Sequence, residues 1–381
     1  MSKFESIKIE GYRRLSSIQL EMRDLTVMIG ANGVGKTSFL DIFKLLAASA
    51  KGQLLEQIGG GLEGMLTRGK ANHLAISLEA SVPGHAPLKY NLKLVPVRGS
   101  SYEISLETLT QHNNPHEPLP QKFIDSHRQN VKYFDVQTKR WESPTWEHNS
   151  FETSLSQVPK MYQQSENLRK QLASCTYYGA LDVSDRSPVR QPQDMRPAKL
   201  PGANGEDLVS CLYDLRETDP DSFEIVEDTL AAAFPDFEKL NFPPVAAGKL
   251  SMTWKDRNFP KPIYVHELSE GTLRFLWLVT LLQSRGLTFI TLIDEPEVSL
   301  HPELLRLLAD LMREASKRTQ LIVATHSDRL IRFLKPEEVL ICDAEEGLTT
   351  MTWADKLDLD KWLSEYSLDE VWAMNLIGGR P

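Results

Sequence analysis

Val27-Met28-Ile29-Gly30-Ala31-Asn32-Gly33-Val34-Gly35-Lys36-Thr37-Ser38 is the stretch that decides the fold. The apolar run 25–29 reads as a buried strand, and 38–46 repeats apolar residues at helical spacing. The loop between them matches G-x-x-x-x-G-K-[ST], and each fixed position has a physical task. Gly30, Gly33 and Gly35 let backbone N–H groups close around phosphate oxygens. Lys36 reaches the terminal phosphates, and the Thr37 hydroxyl can ligate magnesium. A helix starting near Lys36 points its positive end at the same phosphates. A chance Gly-rich turn has no need of a strand before it and a helix after it. Asn32, Val34 and Ser38 belong with these residues to the expected nucleotide-binding set.

Three later stretches complete the pattern. Thr288-Phe289-Ile290-Thr291-Leu292-Ile293-Asp294-Glu295-Pro296-Glu297 is an apolar strand that ends in acids. Ligands of α/β sheets bind at the C-terminal ends of parallel strands, so Asp294 can hold magnesium and Glu295 can orient and deprotonate a water. Gln320-Leu321-Ile322-Val323-Ala324-Thr325-His326-Ser327 repeats the design. His326 reads either as a satisfied core imidazole or, emerging from the same sheet edge, as a hydrogen-bond partner of a terminal phosphate. Glu267-Leu268-Ser269-Glu270-Gly271-Thr272-Leu273-Arg274-Phe275 opens a helix through Leu282. Ser269 and the N–H groups near Gly271 form an ordinary capped helix or a second anion-binding end. One phosphate loop already holds one nucleotide, so the second end suits a nucleotide carried by another molecule.

In order and spacing, these motifs resemble the ABC-type ATPases of the RecF, SMC and OLD group. Within it, the chain is most similar to stand-alone RecF-like ATPases of bacterial anti-phage defence and genomic-island operons. The motifs are a Walker A at 30–37, a signature at 268–272, a Walker B at 291–295, a D-loop at Ser299-Leu300-His301-Pro302 and a switch histidine, His326. Segments 182–190, 205–215 and 366–381 also resemble the stand-alone group. The resemblance implies an α/β fold: an ABC-type P-loop ATPase head with a mixed sheet, flanking helices and a β subdomain. It implies ATP and Mg2+ as ligands, with Lys36, Glu295 and His326 catalytic and with Thr37 and Asp294 on the metal. It further implies a homodimer, or a higher homo-oligomer, that sandwiches two ATP between the Walker A of one subunit and Ser269, Glu270 and Gly271 of the other. Ser299 belongs to the D-loop of that interface. The chain departs from the pattern in three ways. Its signature lacks the Gly-Gly-Gln ending of transporter subunits, no stretch identifies a Q-loop glutamine, for which Gln53 and Gln57 are weak candidates, and there is no room for SMC-type coiled-coil arms.

The expected organisation is an N-terminal half of the ATPase domain at 1–96 and an inserted, mainly helical lobe at 97–242. A C-terminal half at 243–345 and a tail at 346–381 follow. Strands are expected at 3–10, 18–22, 73–80 and 88–97, with 59–65 as a flexible link. Helices are expected at 159–174, 205–215 and 221–234, and irregular chain at 182–205. Between the first two strands, Tyr12 reads as a base-stacking residue and Arg13 or Arg14 as a phosphate contact, or all three as a plain hairpin. Arg13 is carried as a nucleotide-binding candidate.

At 381 residues, two lobes are expected. The apolar runs at 275–282 and 288–293 are too short to span a bilayer, and Met1-Ser2-Lys3-Phe4-Glu5 lacks the apolar stretch of a signal peptide, so a cytoplasmic protein without a membrane partner is expected. Cys175, Cys211 and Cys342 are too scattered for a disulfide framework or a zinc site. A net charge of −9 argues against general nucleic-acid binding. Lys122, Arg128, Lys132, Lys139 and Arg140, and Arg186, Arg190, Arg196 and Lys199, read as solvated loop faces, with a DNA path as the alternative. His112, His116, His127 and His148 fit no metal spacing and read as loop residues.

These features favour an ATPase switch that gates a separate effector protein, a nuclease or a toxin. The alternative is a RecF-like DNA-binding clamp in repair or recombination. Asp358-Leu359-Asp360 imitates the D-x-D element of a Toprim nuclease, but too little chain follows for that fold, and an acidic turn is the better reading. A transporter subunit is disfavoured by the altered signature and the large insertion before it.

Overall fold

The computed structural model describes residues 3–97, 101–112, 119–128, 130–135, 138–144, 147–359, 362 and 365–379. Strands β1 (Phe4–Tyr12), β2 (Leu15–Glu21) and β3 (Leu25–Ile29) lead into helices α1 (Lys36–Lys51) and α2 (Leu54–Ile58). There follow β4 (Leu74–Val82), β5 (His85–Val97), β6 (Ser101–Gln111), β7 (Gln121–Ser126), β8 (Tyr133–Asp135) and β9 (Arg140–Glu142). The middle of the chain forms α3 (Ser154–Gln157), α4 (Gln163–Ala173), β10 (Thr176–Tyr178), β11 (Gln193–Asp194), α5 (Leu208–Thr218) and α6 (Pro220–Ala233). Short strands β12 (Phe237–Asn241), β13 (Pro244–Val245), β14 (Lys249–Leu250), β15 (Thr253–Asp256) and β16 (Ile263–Tyr264) precede α7 (Glu270–Gln283). The last part contains β17 (Ile290–Asp294), α8 (Leu304–Ser316), β18 (Gln320–Ala324), α9 (Asp328–Ile331), β19 (Val339–Glu345), β20 (Leu348–Trp353) and α10 (Leu368–Ala373).

The site rests on a six-stranded sheet of order β10-β17-β18-β3-β19-β20. Its strands run parallel except β20, which returns antiparallel to β19. Side chains alternate across a strand, and here both faces are buried. Val27, Ile29, Ile293, Leu321 and Val323 pack on the side of α7 and α8. Met28, Ile290, Leu292, Ile322 and Ala324 pack on the side of α1 and of an eight-stranded antiparallel sheet, order β2-β1-β4-β5-β6-β7-β8-β9. Gln320 joins the two sheets: its amide oxygen accepts from Phe4 N–H at 2.7 Å and its amide nitrogen donates to Phe4 C=O at 2.9 Å.

The fold is therefore the expected mixed α/β head with a β subdomain, but segment 97–242 is shared out between layers. Through β9 it extends the antiparallel sheet, because alternating runs such as Ser101–Gln111 find an edge to pair with. Helix dominates only from Ser154 to Ala233, where α4 lies on α1 and α6 on α7. Between them β10 enters the central sheet beside β17. The segment at 346–381 likewise begins inside the sheet, as β20.

Smaller expectations also shift. Segment 59–65 is anchored, since Leu62 is fully buried in a short 3-10 turn. Pro159 lies ahead of α4 rather than in its first turn. Tyr12 is only 3% exposed, which removes it from base stacking and leaves it as core. Arg190 is also buried, at 7% exposed, and so leaves the solvated basic face to which its composition assigned it. Lys122, Arg128 and Arg196 are surface residues paired with Asp125, Glu103 and Asp207. Cys211 and Cys342 are buried, Cys175 is half-buried, and all three are free thiols. His112 and His127 are exposed and His148 half-buried. His116, Asp360 and Pro381 lie outside the described residues. No helix among the described residues is long and apolar enough to cross a membrane.

Candidate functional site

The loop between β3 and α1 is shaped by three left-handed glycines, Gly30 (φ 149°), Gly33 (φ 76°) and Gly35 (φ 117°). A Cβ on Gly30 would strike the Cys342 carbonyl, and one on Gly35 would lie 2.5 Å from Thr349 Oγ1. At Gly33 a Cβ would meet nothing within 4 Å, so this glycine faces open space. Helix α1 begins at Lys36 with no side-chain cap and no acid in its first turn. Its orphan N–H groups and positive dipole end are thus left for an anion. Asn32 and Thr37 are exposed, Ser38 is half-buried and Val34 is buried in the core.

Lys36 is 4% exposed, and its ammonium folds back onto the loop, donating to Gly30 C=O at 2.6 Å and Ala31 C=O at 3.0 Å. Burial pushes its pKa below the ordinary lysine value, against the pull of nearby acids such as Asp294 and Glu295. The His326 ring lies beside it, with Nδ1 at 3.3 Å from Lys36 Nζ. On the other side, His326 Nε2 is 3.7 Å from Glu295 Oε1. Burial and then Lys36 lower the imidazole pKa. A neutral ring that accepts from the lysine at Nδ1 carries its proton on Nε2, facing Glu295.

Asp294 closes β17 and Glu295 follows in a left-handed conformation, φ 53°, with its N–H donated to Ala324 C=O at 2.8 Å. Asp294 is half-buried, and desolvation raises its pKa, partly offset by a hydrogen bond from Tyr177. The parallel register of β3, β17 and β18 brings Lys36, Asp294, Glu295 and His326 to one edge of the sheet. All four were legible as motif ends.

Four further residues shape the neighbourhood through partners that the sequence does not show. Tyr177 Oη donates to Asp294 Oδ2 at 3.1 Å. Glu297 accepts from Thr325 Oγ1 at 2.6 Å and from His326 N–H at 3.1 Å, which ties the turn after β17 to His326. Thr349, on β20, donates its hydroxyl to Val34 C=O at 2.5 Å and its N–H to Arg14 C=O at 2.9 Å. The Arg190 guanidinium donates to Val183 C=O at 2.7 Å and to His266 and Leu268 C=O, each at 2.9 Å. It thereby fixes the chain just ahead of Ser269.

Ser269 caps α7, accepting from Thr272 N–H at 3.2 Å, and Ser269 and Glu270 are exposed. Gly271 packs against the turn after β17: a Cβ on it would lie 2.7 Å from Ser299 C=O. Ser299 is exposed and left-handed, φ 62°. No hydrogen bond or ion pair among the described residues links Ser269, Glu270 or Gly271 to the phosphate loop of the same chain. Arg13 is exposed and pairs with Asp41 on α1 at 2.7 Å, with its guanidinium over the Tyr12 ring. Gln53 and Gln57 are exposed on and beside α2, and among the described residues no hydrogen bond joins either side chain to the site. The residue that stands beside Asp294 is Tyr177.

A glycine phosphate loop, acidic and histidine-bearing strand ends and a separate capped helix on a two-faced mixed sheet define a P-loop ATPase head of the ABC and SMC type. The chain belongs to the family described as "AAA domain, putative AbiEii toxin, Type IV TA system", whose sequence profile matches residues 25–332. Its fold is similar to that of an SmcHead bound to the C-winged helix domain of ScpA: TM-score 0.57, 14% identity, covering 95% of this chain and 99% of that one. It is also similar to an Smc head domain with an extended coiled coil bound to the C-terminal domain of ScpA derived from Pyrococcus furiosus. There the TM-score is 0.54 and the identity 12%, covering 96% of this chain and 98% of that one. No curated protein matches the chain.

Proposed function

We propose that this ATPase hydrolyses ATP in a head-to-tail sandwich of two copies and uses the cycle to gate a separate effector protein. The observation that carries the reading is the convergence of Lys36, Asp294, Glu295 and His326 on one sheet edge. The exposed end at Ser269 to Gly271, unbonded to its own phosphate loop, supports the second copy.

ATP phosphates fit the cradle: Gly33 leaves room, the α1 N–H groups are unspent, and Lys36 can exchange two backbone carbonyls for phosphate oxygens. Among the described residues no three His, Cys, Asp or Glu side chains could hold a metal by themselves. Magnesium keeps waters and phosphate oxygens and takes one or two protein ligands, which Thr37 and Asp294 would supply. When bound, it neutralises charge on the transferred phosphoryl group. Glu295 orients and deprotonates the attacking water, and the Nε2–H of His326 contacts the terminal phosphate and responds to its loss. Arg13 is paired with Asp41 of α1 and would have to leave that pair to reach a phosphate.

An effector partner accords with the toxin–antitoxin wording of the family description and with the ScpA domain carried by a similar head. Defence against phage is the setting we favour for it. The DNA-clamp reading loses ground because Lys122, Arg128 and Arg196 are paired with acids and Arg190 is buried.

The test is ATP turnover by the purified protein against its own concentration, with DNA or the neighbouring gene product added in turn. Turnover per head should rise with concentration and respond to the partner. Glu295→Gln should lower it by about 10²- to 10⁴-fold while an ATP-bound dimer accumulates. Undiminished turnover in that variant would remove Glu295 as the base, and turnover independent of concentration would remove the sandwich.

A further inference from the structure

Beside the metal-side carboxylate stands a residue that no nucleotide motif supplies. Tyr177 comes from β10, whose parallel register sets it opposite Leu292 and sets Tyr178 opposite Ile293. The two tyrosines therefore point to opposite faces. Tyr178 is buried against Trp277, while Tyr177 is half-buried and its phenol reaches Asp294 Oδ2 at 3.1 Å.

The ring is itself held. Lys44 Nζ sits 3.3 Å above its centroid, on the third turn of α1. Lys44 is paired with Asp41 at 3.1 Å, and Asp41 with Arg13 at 2.7 Å. A continuous row of contacts thus runs from the exposed Arg13 along α1 to Asp294. Holding the ring fixes where the phenol oxygen sits, and from there its O–H reaches Asp294 Oδ2. It occupies one carboxylate oxygen and leaves the other, Oδ1, for a metal.

We propose that Tyr177 is a positioning residue for the divalent metal, its phenol orienting the Asp294 carboxylate and Lys44 orienting the phenol. The inference rests on reading Asp294 as a metal ligand. Partners that orient a metal ligand typically govern metal affinity by 10- to 100-fold when removed. Because β10 belongs to the middle of the chain, this contact makes the ATPase centre depend on a strand far from its motifs.

The test is binding of a fluorescent ATP analogue, first in EDTA and then titrated with magnesium or manganese. Tyr177→Phe keeps the ring and the Lys44 contact and removes only the hydroxyl. Its affinity in EDTA should stay within about twofold of wild type, while the half-saturating metal concentration rises about tenfold. Lys44→Met should shift the same midpoint by about threefold, the worth of one partly exposed cation–ring contact. Asp294→Asn should shift it further than either. Unchanged metal dependence in Tyr177→Phe, with Asp294→Asn shifted, would overturn the proposal alone. If Asp294→Asn is unchanged as well, the metal assignment beneath it falls too.

Discussion

Gly271 lies so close to Ser299 that a Cβ on the glycine would sit 2.7 Å from the serine carbonyl oxygen. The start of α7 and the turn after β17 thus pack directly on each other, although 27 residues lie between Gly271 and Ser299. Gly271→Ala must push them apart, while the cradle around Lys36 is untouched. ATP binding by the isolated head should therefore be retained, within about threefold, and the concentration-dependent part of turnover should fall tenfold or more, about 1.4 kcal/mol or more of lost interface. Equilibrium ATP binding and sedimentation of the ATP-bound Glu295→Gln form, each with and without Gly271→Ala, check this.

Thr349 fastens β20 to the phosphate loop through Val34 C=O. Thr349→Val keeps the volume and removes the donor, leaving a buried carbonyl unpaired. Urea unfolding should show a loss of about 1–2 kcal/mol. ATP affinity should fall as well, because the carbonyl that shapes the loop is released.

Arg190 serves three carbonyls from a single buried guanidinium. Lysine carries the charge without the planar fork, so Arg190→Lys should destabilise by about 2–4 kcal/mol in urea unfolding. Two of the three carbonyls, those of His266 and Leu268, lead directly into Ser269. Dimerisation in ATP should therefore weaken more than ATP binding to the isolated head.

His326 titrates below the ordinary imidazole value of 6.5 because burial and Lys36 disfavour its charged form. Once unfolded, the ring takes up its proton near that ordinary value; when folded, it does so only at lower pH. Between the two pKa values the unfolded state holds more protons, so this residue's contribution is present above about pH 6.5 and is lost as pH falls through the folded pKa. Urea unfolding of wild type and His326→Asn over that range should show the steeper loss in wild type. Parallel curves would exclude the residue from the acid response.

The sequence revealed those parts of the site that are written as an apolar run with a polar end. Gly30 to Thr37, Asp294, Glu295 and His326 each announce themselves locally, because strand, turn and chemistry fall within ten residues. Tyr177 does not, since the three-residue strand 176–178 carries no period and its meeting with Asp294 depends on the order of strands in the sheet. Thr349 is 315 positions from Val34 and looks like any polar residue of an edge hairpin. Glu297 was within the quoted motif, but its partners Thr325 and His326 lie on the next strand. Composition misled at Arg190, because an arginine in a Pro- and Gly-rich stretch looks solvated until the carbonyls around it are known. The same limit blurred 97–242: strand pairing at a sheet edge is not a property of the paired segment alone.

Glu295 and Ser299 both hold left-handed backbone, at φ 53° and 62°, in one short turn. For residues with a Cβ such geometry typically costs about 1 kcal/mol or more. Glycine or asparagine would sit there at less cost. A laboratory population selected only for surviving heat would therefore drift toward those residues at 295 and 299. It would emerge sturdier, with its proposed base removed and one wall of its proposed interface altered. Endurance and turnover make opposite demands on this turn, and a variant bred for one would first part from a variant bred for the other at these two positions.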